Sequence, residues 1–107
     1  MTGAGRVYEW DERKRSINLR KHGLDFADCA CVFAGPTITS LDDRYSDPEA
    51  RYSTLGLFRG RVVQVAHTEQ EDGLVRIISF RKAKKREQAC YFEAFQNGLE
   101  ARRRYAG

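Results

Sequence analysis

Residues 75–87 read Val-Arg-Ile-Ile-Ser-Phe-Arg-Lys-Ala-Lys-Lys-Arg-Glu, and the stretch changes character halfway. Val75, Ile77, Ile78 and Phe80 are β-branched or aromatic, and the turn pair Asp72-Gly73 lies just upstream, so it opens as a strand. From Ala83 onward the composition is Ala, Lys, Arg, Glu and Gln, all good helix formers. Arg81, Lys82, Lys84, Lys85 and Arg86 place five cations within six residues at the junction. A strand that delivers such a cluster to a helix N-terminus, where free N–H groups also favour anions, can present fixed charge to a polyanion. The remaining chain is expected to bury the apolar side of this unit.

Upstream, Arg61 to Thr68 contains Val-Val-Gln-Val-Ala-His and is the clearest strand, expected to be central. The acidic turn Glu69 to Gly73 joins it to the anchor strand. Arg59-Gly60 is a tight turn, Arg51 to Phe58 a strand, and Asp42 to Glu49 a polar loop with an Asp-Pro turn. Thr37 to Leu41 is a further strand. Strands joined by such short connections form an antiparallel meander. Earlier still, Asp25 caps a helix in which Phe26, Ala30 and Phe33 fall at helical spacing beside Cys29 and Val32, and Gly35-Pro36 stops it. Cys29 and Cys31 are read as small buried residues of that helix. Asp11 caps the first helix, Glu12 to Lys21, which carries only a narrow apolar stripe and closes at His22-Gly23. Val7 to Trp10 alternates as a short strand, and residues 1–6 are Gly-rich and expected to be flexible. Downstream, a helix over residues 83–104 buries Tyr91, Phe95 and Leu99. The fold class is therefore α+β, with two N-terminal helices, an antiparallel β-sheet and a C-terminal helix, in a single domain over 1–107.

The apolar fraction of 41% suits a soluble globular protein, and no apolar run reaches the length of a membrane span. With no signal-peptide pattern and three cysteines, an odd count, the expectation is a cytoplasmic protein with reduced thiols. No His/Cys spacing resembles a zinc site, and no cofactor is expected. Net charge is +4, unevenly spread: residues 79–107 hold eight Lys/Arg against three Asp/Glu. An RNA, DNA or acidic protein partner follows for that end, and charge alone does not choose among them.

Glu9-Trp10-Asp11, Asn18-Leu19-Arg20-Lys21-His22-Gly23, Phe26, Val32-Phe33, the Glu49/Arg51 pair, Gly56, Arg76-Ile77-Ile78-Ser79, Arg81-Lys82-Ala83 and Arg86-Glu87 resemble, in that order, the BrnT family. The resemblance covers about residues 7–87. It implies a RelE-like fold, ribonuclease activity that arrests growth within a type II toxin–antitoxin system, and neutralisation by a BrnA-like antitoxin with a ribbon-helix-helix region. Operator DNA would be contacted only through the complex. The chain departs from the family pattern at Phe80, where a small residue is usual, at Lys84, often Thr, and at Gln70, often Arg.

RNA can be cut without metal, because its own 2′-OH can attack the adjacent phosphorus. A base, cations for the phosphorane charge and an acid for the leaving oxygen assist the step. Arg76 and Arg81 are the candidate cations, since a guanidinium fork suits phosphate. Five residues apart, they face opposite sides of an ideal strand and can share a site only if the strand twists or ends near Phe80. The alternative for Arg76 is a solvated strand residue or an ion pair with Glu69 or Glu71. Glu49 is a candidate base or the orienter of Arg51, against the plain alternative of a solvated loop carboxylate. His67 titrates near working pH, but it alternates with Val63 and Val65, so a sheet-face or core histidine is the stronger reading. Arg51, Lys21, Lys82, Lys84, Lys85 and Arg86 are RNA-binding candidates, with a solvated helix face as the alternative. His22 is explained by capping, and Trp10 is favoured as a core anchor over a base platform. The competing function is a non-catalytic nucleic-acid-binding or adaptor module that uses the 81–86 cluster.

Overall fold

The computed structural model describes residues 6–42 and 50–106, with side chains up to residue 96. The Gly-rich start up to residue 5 and most of the 42–49 loop, including Glu49, fall outside the described residues, as does the side chain of Leu99. Strand β1 (Val7–Glu9) leads into helix α1 (Glu12–His22), a 3-10 turn (Phe26–Asp28) and the short α2 (Cys29–Ala34). Four strands follow, β2 (Ile38–Asp42), β3 (Arg51–Phe58), β4 (Arg61–Glu69) and β5 (Leu74–Lys82), and α3 (Lys85–Ala106) ends the chain.

The sheet order is β1-β5-β4-β3-β2, so β4 is central as expected. Pairing from β2 to β5 is the antiparallel meander that short turns dictate. The sheet is nevertheless mixed, because β1 lies parallel to β5 with Glu9 opposite Arg76. Two helices intervene between β1 and the meander, and such a crossover allows a parallel neighbour that a tight turn cannot make.

Local chemistry fixes the helix ends. The Asp11 carboxylate accepts from the Arg13 and Lys14 N–H groups, and Gly23 sits at φ 72° with its N–H donating to the Leu19 carbonyl. Asp25 accepts from the Ala27 N–H, but it opens a 3-10 turn rather than an α-helix. The second helix is thus shorter than its apolar spacing suggested, and Cys31 is exposed while Cys29 is buried.

One face of the sheet, clasped by α1, the 3-10 turn and α2, holds the main core of Phe26, Cys29, Val32, Val63, Val65, Val75, Ile77 and Phe80. Trp10 packs on it edge-on to Phe26. Gly56 lets α2 approach: an added Cβ would stand 2.7 Å from a Val32 methyl carbon and 3.0 Å from a Thr37 one. On the other face α3 covers only part of the sheet, through Leu55, Val62, Ala83 and Tyr91, with the Tyr91 hydroxyl donating to the Pro36 carbonyl.

Beyond Glu9 no described strand pairs with the edge of β5, and α1 takes that place. The buried Asn18 accepts from the Phe80 N–H at 3.1 Å and donates to the Phe80 carbonyl at 2.8 Å, copying the two bonds of a neighbouring strand. Its amide also donates to the Leu24 carbonyl. Phe80 itself is fully buried and edge-on to Phe58, so its ring fills the core.

Candidate functional site

The phase of β5 decides what the open face presents. His67 pairs with Ile77 and Ala66 with Ser79, which leaves Ile78 as an extra residue in a bulge. Ile77 and Phe80 are thereby both turned into the core, and Arg76 and Arg81 are both turned to the opposite face. The five-residue spacing that separates the arginines on an ideal strand is cancelled by one bulged residue.

Three ladder rows then cross the open face. The first runs Glu9–Arg76–Thr68–Arg51–Asp42 over all five strands. The second, Ser79–Ala66–Ser53–Ser40, consists of small side chains only. The third is Arg81–Gln64–Leu55–Ile38, and α3 begins to cover it. The result is a trough with a low floor, and Arg76 and Arg81 stand on its two rims. Each lies one same-face step, roughly 7 Å along the sheet, from the floor residue Ser79. Their backbones are thus about 13 Å apart, yet two extended guanidinium groups can lean over the floor from opposite sides.

At rest each arginine is held by a carboxylate. Arg76 Nη1 donates to Glu9 at 2.8 Å, and both groups are well exposed, with side-chain accessibilities of 46% and 39%. Arg81 makes a two-pronged pair with Glu87, at 2.9 and 3.0 Å, and also donates to the Lys82 carbonyl. Arg81, ahead of the backbone bond from Lys84, holds the Glu87 carboxyl below its ordinary range. Glu87 also accepts from the Lys84 N–H at 2.7 Å, capping α3 three residues inside its first turn. One N–H at the start of α3 is therefore taken by the helix's own glutamate. Beyond Glu87 the trough widens into an apolar groove of ≈ 490 Å³ lined by Ile38, Leu55, Cys90 and Ala94, with Ser40, Ser53 and Arg86 at its rim.

The other candidates fall in different places. Lys21, with Lys14 and His22, lines a depression of ≈ 210 Å³ between α1 and the bulge at Ile78-Ser79, beside the floor. Arg51 occupies the first row. Lys82 points to the clasped side, while Lys84, Lys85 and Arg86 lie exposed about the start of α3. His67 has no exposed surface: its Nε2 is 2.7 Å from Thr54 Oγ1, Phe33 meets it edge-on and Tyr52 stacks on it. Burial outweighs the attraction of Glu69 and pushes the imidazole pKa down. Its Nδ1 finds no hydrogen-bond partner among the described residues and lies 3.7 Å from Glu69. A sealed ring on the clasped side cannot exchange protons with a strand in the trough, so His67 is a core histidine. Among the described residues no three His, Cys, Asp or Glu form a metal-holding group, and no helix is long and apolar enough to cross a membrane.

Sequence reasoning overlooked two cations. Arg59 and Arg61 flank the β3–β4 turn and share a cleft with Lys82 and His22. The Arg-Gly-Arg sequence at a tight turn was the available signal. Glu9 and Glu87 also escaped it as partners of the arginines, because pairing across elements leaves no mark in local spacing.

Fold and face together define a small α+β protein that sets paired arginines across a shallow trough able to receive an extended polyanion. Residues 10–87 match the family model of the ribonuclease toxin BrnT of type II toxin–antitoxin systems, and the chain belongs to this family. The crystal structure of the Brucella abortus ribonuclease toxin BrnT is similar at a TM-score of 0.58 and 30% sequence identity, over 75% of this chain and 99% of that one. No curated protein matches. The protein is thus a ribonuclease toxin of a type II toxin–antitoxin system, a type to which an RNA substrate and an antitoxin partner belong.

Proposed function

We propose that the protein is a metal-independent endoribonuclease of the cytoplasm, which cleaves RNA through attack of its 2′-OH and is silenced by a BrnA-like antitoxin bearing a ribbon-helix-helix region. The observation that carries this reading is the placement of Arg76 and Arg81 on one face, on opposite rims of a floor of small residues. An extended RNA strand lies along the floor with its scissile phosphate above Ser79 and Ala66. The guanidinium groups exchange their carboxylates for phosphate oxygens and meet the charge that builds in the phosphorane. Exposed ion pairs contribute little, so the exchange at Arg76 costs little. The pair at Arg81 is more enclosed and holds that side chain aimed along the rim until RNA arrives. Lys21 and Arg51 bind flanking phosphates, as do Lys82, Lys84, Lys85 and Arg86 beyond the rim. Proton transfer is assigned to Glu49, two residues before Arg51 in the sequence.

Arg81→Ala is expected to abolish RNA cleavage and growth arrest, and Arg76→Ala to reduce cleavage by at least tenfold. Both variants should retain the wild-type circular dichroism spectrum. Cleavage by the wild type should persist in excess EDTA. RNA binding with no cleavage product at any protein concentration would instead favour the non-catalytic binding module.

A further inference from the structure

The β3–β4 turn carries an arginine where turn chemistry prefers another residue. Arg59 and Gly60 both have positive φ, 53° and 78°. This is the geometry of a two-residue hairpin turn whose first position ordinarily holds Asn, Asp or Gly. The left-handed region costs a long side chain more than it costs these residues. The side chain is also held in place, with its guanidinium carbon 4.9 Å from the Phe58 ring centroid. There it borders a cleft of ≈ 390 Å³ on the clasped side of the sheet, whose polar lining is Arg59, Arg61, Lys82 and His22. Among the described residues no carboxylate lines the cleft, and none of the three cations Arg59, Arg61 and Lys82 has an ion pair. Burial holds the His22 imidazole below its usual range, and the charges of Lys21 and Arg81 add to this in the same direction.

The cleft is not isolated from the trough. His22 lines it and also the depression that holds Lys14, Lys21 and the floor residue Ser79. Arg81 and Lys82 are successive residues of β5 and point to opposite faces, so a strand that leaves the trough past α1 meets cations on both sides. That continuity favours a nucleic-acid backbone over a separate acidic protein.

We propose that this cleft is a second phosphate-binding site for the RNA strand, outside the scissile step, with Arg59 retained against turn preference as its anchor. The proposal rests on the trough binding RNA. It is tested with Arg59→Asn, which supplies the residue the turn favours, and with Arg61→Gln. The probe is a fluorescent twelve-nucleotide 2′-O-methyl RNA, which lacks the attacking hydroxyl, and its binding is followed by anisotropy against salt. Arg59→Asn should melt at the wild-type temperature or above and bind the probe about fivefold more weakly at low salt. The slope of log affinity against log salt should shrink by about 0.7, one single-strand phosphate contact. Arg61→Gln should shift affinity and slope in the same direction. Unchanged affinity and slope in both variants would overturn the cleft, while cleavage of unmodified RNA by the wild type would leave the nuclease reading standing. Arg59-dependent binding by a wild type that cuts nothing would do the reverse. Loss of antitoxin binding in Arg59→Asn, with RNA binding intact, would assign the cleft to an acidic protein and overturn the proposal.

Discussion

Gly56 and His67 are the two residues whose identity the clasped face constrains most. A side chain at Gly56 meets Val32 at 2.7 Å and Thr37 at 3.0 Å, so α2 must lift off β3 to admit even a methyl group. Gly56→Ala should therefore cost about 1–3 kcal/mol, the usual range for overpacking a core, read as a lower urea midpoint with an unchanged slope. His67 sits on β4 opposite Tyr52 of β3 and against Phe33, where desolvation holds its pKa below the ordinary 6.5. Between that lowered value and 6.5 the unfolded chain takes up a proton that the folded chain refuses. Stability is thus complete above pH 6.5 and erodes as pH falls below it. His22 is shifted in the same direction and shares in the effect. The melting temperature should drop from pH 7.5 to pH 5.5, and His67→Gln, whose amide can still meet Thr54, should lessen the drop while leaving the part due to His22. An equal drop in the variant would show that the buried imidazole is not what titrates.

The decisive element is β5, and its bulge makes an unusual forecast. One residue removed from a strand ordinarily turns every later side chain to the wrong face. In β5 the extra residue is already excluded from the ladder, so deleting Ile78 leaves Ile77 and Phe80 inward and Arg76 and Arg81 outward on an evenly alternating strand. That deletion variant should unfold cooperatively, whereas deletion of Gln64 from the unbulged β4 should yield no cooperative transition. If both deletions behave alike, the bulge does not set the phase. The bulge also marks the limit of what the sequence discloses. Alternation and turn residues located each strand of the meander, and Asp11, Gly23 and Asp25 marked helix ends, because those signals are local. Which residue of β5 is left over depends on pairing with Ala66 and His67, and the parallel seat of β1 depends on β5, so neither could be read along the chain. For the site the consequence is direct: the two arginines were legible as candidate phosphate ligands, but their common face was not.

At the scale of the molecule, charge is sorted by the ends of the sheet rather than by the halves of the sequence. The end of α1, the β3–β4 turn and the close of β5 bring Lys21, Arg59, Arg61 and Lys82 to one end. The turn that holds Glu69, Glu71 and Asp72 lies at the other. A tally along the chain credited the basic excess to residues 79–107 and missed what the hairpin adds, because Arg59 and Arg61 reach that end only through antiparallel pairing. The nine residues of β5 separate the two ends by roughly 26–30 Å, about three Debye lengths at physiological salt. A charge change at the acidic turn is therefore screened from phosphates held at the basic end and reaches only the RNA at the Arg76 rim, two residues into β5 from that turn, whereas an equal change at the basic end acts on the cleft directly. Glu71→Lys raises the net charge by two, yet, acting only on the RNA at the Arg76 rim, it should raise the affinity for a single-stranded RNA by no more than about threefold at 0.15 M salt. Arg61→Glu, an equal change in the other direction, should weaken binding by at least tenfold. Equal and opposite responses in the two variants would mean that RNA senses only the overall charge, and that neither trough nor cleft sets its path.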